Sequence, residues 1–361
     1  MLSAAISNKY GISLKVTDVN RFEGGAAIYF GTDSFDSYNE FRYCIAIDPD
    51  AVAIHLMGEG QTLEAAAEAL VEKWLDAPDG RFPFAMQDRH FGYCWQSNDP
   101  GATSKEMALE AKTAQTLAQG VYLHELRYTA PGIGTMNFFA TALHHDSPAT
   151  MMAVAAPWDS SNSPDAPAQL YTVSEYAQQL QNAGHHVLAV TNGGFFRRSE
   201  GSNVPFGTQI LDGNVIQAPS YIDLRYSDSW LGVTQDGKYI ISDAYGYAAW
   251  EGKLRYALGG GKLLMRDREL CFSSAEMTAR TCAGITSGGD LVLLSVESAN
   301  YAMMVQAFMD LDMDIVTILN LDGGGSTTML AADSSGELQT VVCGNGKKQR
   351  PVADAWAIVL P

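Results

Sequence analysis

The sequence predicts an α+β protein: a smaller α+β N-terminal domain over residues 1–118, then strand-rich mixed sheets with flanking helices over residues 119–361. Three observations carry this. Apolar, β-branched runs recur between turn dipeptides, as in Ala283-Gly-Ile-Thr and Leu291-Val-Leu-Leu on either side of Gly288-Gly289. Helical periodicity is confined to a few separate segments. At 361 residues the chain exceeds the usual size of a single core, so two domains are expected.

In order along the chain, residues 12–16 and 26–30 alternate or run apolar like strands, and residues 43–47 and 51–55 form a hairpin around Asp48-Pro49-Asp50. Residues 62–75 read as a helix with Leu63, Ala66, Ala67, Leu70, Val71 and Trp74 on one face. A second helix is expected at 104–117, joining the two blocks and ending at Gly120. Residues 121–128, 136–143 and 150–156 then read as three strands, followed by a polar loop at 159–167 and a helix at 173–183 closed by Gly184. A short buried strand at 186–190 empties into Thr191-Asn192-Gly193-Gly194. Asp212-Gly213, Asp236-Gly237 and Gly288-Gly289 mark hairpins. A helix at 299–311 turns Met303, Met304, Ala307, Phe308 and Leu311 inward, and the last strand covers 355–360.

Composition narrows the function. The formal charge of −18, from 23 Lys+Arg against 41 Asp+Glu, repels a polyphosphate backbone and argues against a nucleic-acid partner. No stretch approaches the about 18 apolar residues that a membrane span needs. Five cysteines, at 44, 94, 271, 282 and 343, show no CxxC pair; buried thiols are favoured over a Cys44–Cys94 disulfide. The start of the chain lacks the basic segment and apolar core of a signal peptide. That leaves a cytoplasmic protein, a phage-encoded one, or a secreted one with its leader removed.

The most informative stretch is residues 315–328. The run Ile315-Val-Thr-Ile-Leu-Asn-Leu reads as a buried strand, and it empties into Asp322-Gly323-Gly324-Gly325-Ser326-Thr327-Thr328. Three glycines let backbone approach a ligand closely, with a carboxylate and hydroxyls beside it. A tight turn whose Asp caps the next few residues is the bland alternative. It is not a P-loop, since no Lys stands after the last glycine. Asn192-Gly-Gly-Phe-Phe ends another strand in the same way, and Arg280 and Arg350 each stand near a strand start. The guanidinium fork matches phosphate or carboxylate oxygens two at a time.

Six blocks, in order, are similar to the phosphodiester glycosidase family, enzymes that remove α-N-acetylglucosamine from its phosphodiester. They are Asn192-Gly-Gly-Phe-Phe; Pro205-Phe-Gly-Thr with Leu211-Asp-Gly; Ala257-Leu-Gly-Gly-Gly with Leu263-Leu; Arg280-Thr-Cys-Ala-Gly; Asn320-Leu-Asp-Gly-Gly-Gly-Ser-Thr-Thr-Met; and Arg350-Pro-Val-Ala. The resemblance covers residues 120–361. Two departures stand out: Glu297-Ser298 where the family pattern has Asp-Gly, and Asp354 where Asn is expected.

The resemblance implies a hydrolase that cleaves an α-glycosyl, and by the same resemblance an N-acetylglucosaminyl, phosphodiester at the anomeric carbon. The alternatives are a metal-dependent phosphodiesterase acting at phosphorus and a non-catalytic carbohydrate-binding protein. Cleavage at the anomeric carbon develops oxocarbenium charge on the sugar and negative charge on the departing phosphate. Asp322 is the candidate carboxylate at the sugar, with Glu297 as the second carboxylate. Arg280 and Arg350 are candidates for the phosphate clamp, assisted by Gly323 and Gly324 N–H groups and the Ser326 and Thr327 hydroxyls. Asn192, with Gly193, would hold a sugar hydroxyl or acetamido group, and Asp354 reads as a turn cap. The pairs His144-His145 and His185-His186 point to opposite faces of extended backbone, which argues against zinc. No cofactor is required; Ca²⁺ or Mg²⁺ on oxygen ligands is compatible with the acidic chain.

Overall fold

Strand-forming runs broken by glycine turns dominate this chain, and a computed structural model shows what they build. It describes the strand backbones at 27–31, 43–48, 53–57 and 91–95, and residues 107–156, 169–196, 205–218, 229–243, 245–272, 274 and 276–361. Backbone contacts separate residues 1–99 from residues 100–361. The first group contributes β1 (Ala27–Gly31), β2 (Tyr43–Asp48), β3 (Ala53–Met57) and β4 (Phe91–Trp95), ordered β1-β3-β2-β4. The β2–β3 pair is antiparallel, as the Asp48-Pro49-Asp50 signal predicts, whereas β1 and β3 run parallel. Register sets Cys44 opposite Cys94. Their side chains, the strand expected at 12–16, the helix expected at 62–75 and the loop at 159–167 lie outside the described residues.

In residues 100–361 the chain runs through β5 (Ala108–Ala118), β6 (Val121–Ala130), β7 (Gly134–Leu143), β8 (Thr150–Ala155), helix α1 (Val173–Asn182) and β9 (His186–Asn192). It continues with β10 (Gln209–Leu211), β11 (Asn214–Gln217), β12 (Ser229–Thr234), β13 (Tyr239–Asp243), β14 (Leu254–Gly260), β15 (Leu263–Arg266) and β16 (Glu269–Leu270). Last come β17 (Thr278–Thr286), β18 (Leu291–Ala299), helix α2 (Tyr301–Met309), β19 (Ile315–Asn320), β20 (Thr328–Ala332), β21 (Leu338–Cys343) and β22 (Asp354–Leu360). They form three sheets: β11-β10-β14-β12-β13, β16-β15-β19-β17-β18-β7-β6-β5, and β21-β20-β9-β22-β8.

Each described pairing in these three sheets is antiparallel, so this half is mostly β rather than mixed, with two α-helices among the described residues. The helices stand where the chain must return in the same direction. α1 links β8 to β9 and α2 links β18 to β19; in each case one strand, β22 or β17, is inserted between them. That insertion keeps every neighbour antiparallel while the crossover helix covers the face.

The hairpins form where the dipeptides place them. At β10–β11, Asp212 and Gly213 both take positive φ (47° and 80°), the backbone of a two-residue primed turn. The helix expected at 104–117 is instead strand β5, paired with β6 through Gln119-Gly120, where Gly120 has φ 72°. Its Ala, Leu, Glu, Lys and Gln favour a helix, but the ladder to β6 and the positive-φ glycine decide the matter. Most of β5 is solvent-facing.

Local chemistry fixes both helix starts. Thr172 and Glu175 form a reciprocal capping box at α1, and Asn300 accepts the Met303 N–H at α2. α1 buries Val173, Tyr176, Ala177 and Leu180 against Val187, Val190, Ala355 and Val359. α2 buries Met303, Met304, Ala307 and Phe308, with Leu311 just beyond its end, the face expected from the sequence. Gly284 on β17 leaves the room Phe308 fills: a Cβ there would lie 2.7 Å from its ring. The main core joins all three sheets through Leu231, Leu258, Leu293, Leu319, Met329 and Trp356. Each such buried side chain contributes roughly 1.5–3 kcal/mol, so the strand ends above it sit on a rigid base.

Candidate functional site

Three strand ends meet where two of the sheets adjoin. β22 pairs with β9 so that Ala355 faces Asn192, which sets the start of one strand beside the end of the other. The Gly193 N–H donates to the Asp354 carbonyl at 3.1 Å, and the Asp322 N–H donates to the Gly193 carbonyl at 3.1 Å. Gly193 therefore ties the loop after β19 to β22. Asn192, fully buried, completes the joint. Its amide donates to the Asp322 carbonyl (2.8 Å) and its oxygen accepts from the Thr281 hydroxyl (2.8 Å) and the Thr328 N–H (3.1 Å). A residue expected to hold sugar is thus committed to the loop that carries Asp322.

The glycines of that loop each answer a constraint. A Cβ at Gly323 would lie 2.9 Å from the Ala279 carbonyl, Gly324 has φ 58°, and a Cβ at Gly325 would crowd the Arg350 guanidinium at 3.3 Å. Gly324–Ser326 form a 3₁₀ turn, and the three glycines are half-exposed while Ser326 and Thr327 are buried. This leaves backbone open to a ligand, with the hydroxyls beneath it.

Asp322 is 7% exposed. Its Oδ1 accepts the Gly323 N–H at 2.8 Å, and its Oδ2 lies 3.6 Å from Arg350 Nη2. Burial pushes its carboxyl up to about 6, against the lowering pull of the Ser326 hydroxyl, the Arg350 charge and the Gly323 N–H. A carboxyl so tuned gives or takes a proton near neutrality. The Arg350 Nη2 also donates to the Ser326 hydroxyl, and its guanidinium lies 5.8 Å from the Phe196 ring centre. Its Nε is buried without a partner among the described residues, and its side chain is 30% exposed. The Thr327 hydroxyl is buried without a partner as well.

Two expected members stand elsewhere. Arg280 is on β17 between Ala279 and Thr281, which face the loop and Asn192, so the alternation of a strand turns Arg280 to the opposite face. There it is 5% exposed, donates to the Ala299 and Glu276 carbonyls and the Glu276 carboxylate, and lies 3.9 Å over the Tyr301 ring. Its Nε and Nη2 are engaged by its own neighbours rather than by the glycine loop. Glu297 is exposed near the end of β18 and makes no ion pair among the described residues. The carboxyl that does stand beside Asp322 is Asp354, 2% exposed, with Oδ1 accepting the Gly194 N–H at 2.7 Å. Nothing in its local sequence separates it from a turn cap; the departure from the expected Asn is the one signal.

Among the described residues no group of three or more His, Cys, Asp or Glu stands together as metal ligands would. His145 pairs with Asp290 at 2.8 Å. No described helix is long and apolar enough to cross a membrane.

No curated protein matches the chain. Among solved structures, the zebrafish N-acetylglucosamine-1-phosphodiester α-N-acetylglucosaminidase catalytic domain, auto-inhibited by its pro-peptide, is 17% identical, covers 70% of this chain and 88% of its own, and gives a TM-score of 0.48. A hypothetical protein from Synechocystis is 13% identical over 70% of this chain and 64% of its own, with a TM-score of 0.48. The phosphodiester glycosidase family matches residues 185–359, the stretch that carries β9, the glycine loop and β22. Over residues 185–359 the chain is therefore similar in sequence to the phosphodiester glycosidase family.

Proposed function

We propose that this protein hydrolyses α-glycosyl phosphodiesters at the anomeric carbon, releasing the sugar and a phosphomonoester, with residues 119–361 as the catalytic part. The observation that carries the reading is the 3.6 Å pair of Asp322 and Arg350 at the rim of the glycine loop. A carboxylate and a guanidinium side by side match the two charges that separate as a glycosyl–phosphate bond breaks. Asp322 faces the sugar, as nucleophile or base. Arg350 meets the phosphate with the exposed part of its guanidinium, and the half-exposed backbone of Gly323 and Gly324 lies beside it. Ser326 holds the guanidinium in place. Because a phosphomonoester leaves as an anion with its second pKa near 6, the leaving group needs little protonation. On the family resemblance, an α-N-acetylglucosaminyl phosphodiester is the first substrate to test.

Hydrolysis in ¹⁸O-labelled water decides the reaction. Label is expected in the sugar; label in the phosphate would instead establish attack at phosphorus. A second outcome concerns Arg350, whose charge lowers Asp322. In Arg350→Met the acid limb of the kcat/KM profile is expected to move to higher pH, with kcat/KM down by about 10²-fold. Arg350→Lys, which keeps the charge without the fork, should restore the acid limb more than the rate. An unmoved limb in the Met variant would remove Arg350 from the site.

A further inference from the structure

Asp354 is used by nothing in that reading, yet its surroundings are unusual for a carboxyl group. It begins β22 with its side chain turned under the Gly193–Gly194 turn, so closely that a Cβ on Gly193 would fall 2.3 Å from its Oδ1. Its contacts are the Gly194 N–H on Oδ1 and the Gln209 side-chain amide on Oδ2 at 3.2 Å. No Lys, Arg or His forms an ion pair with it among the described residues. Asp322 holds the cation of the pair, Arg350, and the two aspartates are joined through the backbone of Gly193. The Asp322 charge opposes ionisation of Asp354, and of two buried carboxyls the one without a cation is the one that keeps a proton.

Gln209 can serve either state of that acid. It is 1% exposed, and its Oε1 is buried without a partner while its Nε2 faces Asp354. Turning the amide over presents the oxygen to a protonated Oδ2, so one side chain satisfies either state of the acid.

We propose that Asp354 is a positioning residue: as the proton-bearing member of a carboxyl pair with Asp322, it holds the Gly193–Gly194 turn and leaves Asp322 as the single negative charge of the cleft. The inference rests on the proposed catalytic role of Asp322. The titratable and charged groups facing Asp354 are Asp322 from the loop after β19, Tyr176 from α1, and Arg350 at one remove behind Asp322. Burial pushes Asp354 up to about 7 against the lowering pull of the Gly194 N–H and the Gln209 amide, and the Asp322 charge adds a smaller upward push. Tyr176 is itself raised, by burial and then by Asp354, and stays neutral. Ionisation of Asp354 above neutrality would add a second negative charge beside an anionic substrate and end activity from the alkaline side.

The test is Asp354→Asn, a neutral side chain of the same shape, read in two ways. The first needs no substrate. A folded-state value above the unfolded one stabilises fully below about pH 4 and is lost as pH rises through the folded value. The melting temperature of the parent should therefore fall between pH 5 and pH 8, and that of Asp354→Asn should fall less; equal declines would overturn the proposal. The second is the pH profile of kcat/KM, each protein normalised to its own maximum. The alkaline limb is expected to move up by at least one pH unit in Asp354→Asn while the acid limb stays, and an unmoved alkaline limb would overturn it. Should no glycosyl phosphodiester turn over, the catalytic reading fails while the melting data still decide the state of Asp354. Should Asp354→Asn not fold, ¹³C-carboxyl NMR on Asp-labelled Asp322→Asn protein replaces it. One carboxyl should then titrate at least about one unit above the ordinary aspartate value near 3.9, and its absence would overturn the proposal.

Discussion

Asp322→Asn is expected to lower kcat on α-glycosyl phosphodiesters by about 10³-fold or more while leaving the protein folded, and at pH 8 no less stable than the parent. The two halves of this outcome have one cause. Burial raises the Asp322 carboxyl to about 6, above the 3.8 of an ordinary aspartate, although Arg350 stands 3.6 Å away. Desolvation therefore outweighs the ion pair. A group raised in this sense stabilises the fold fully below about pH 4, and that contribution is lost as pH rises through 6. At pH 8 the native state must hold the charge in a site 7% exposed, and the neutral amide of Asn removes that cost while keeping an oxygen for the Gly323 N–H. A residue that weakens the fold at the pH where it is ionised is what a reacting carboxylate looks like. Steady-state kinetics and melting at pH 5 and pH 8 check both halves. Turnover within tenfold of the parent would take Asp322 out of the chemistry; a melting temperature at pH 8 well below the parent's would make it a structural member of the loop.

How much of this was legible depended on whether the deciding contact was near in sequence. The loop at 322–328 was legible because its cause is local: a buried apolar run ending in three glycines, each required by the Ala279 carbonyl, a positive φ or Arg350. The inward face of α2 and the hairpins at Asp212-Gly213 and Gly288-Gly289 were legible for the same reason. The face that Arg280 takes was not legible because motif order says nothing about the side of a strand. One step of the pleat puts Thr281 against Asn192 and Arg280 over Tyr301. β5 was misread because its composition favours a helix and its partner strand lies beyond a turn. Asp354 was missed because its neighbours, Gly194, Gln209 and Asp322, are 32 or more residues away in sequence and meet only once β22 lies beside β9.

Asn192→Ala is expected to destabilise the protein by about 3–5 kcal/mol and to lower activity in whatever remains folded. Its side chain is fully buried, and no solvent replaces what it supplies. Truncation orphans the Asp322 carbonyl, the Thr328 N–H and the Thr281 hydroxyl together, and each buried group left without a partner costs about 1–3 kcal/mol. Asn192→Asp is expected to be worse still at pH 8. It exchanges the donor to the Asp322 carbonyl for an acceptor and buries a third carboxyl beside Asp322 and Asp354. Urea unfolding at pH 7 measures both, with the slope on denaturant unchanged if the native and unfolded ensembles keep their compactness. The alternative assignment, in which the amide holds a sugar group, predicts a different pattern: a raised KM with stability moved by less than about 1 kcal/mol, since exposed binding groups contribute little to the fold. The distinction matters for the mechanism. Asn192 links β9, β17 and the glycine loop in one joint, so loosening it lets the backbone of Asp322 shift relative to Arg350. A carboxylate displaced by about 1 Å from its reacting position can lose about 10²-fold in rate, with no change to the reacting groups themselves.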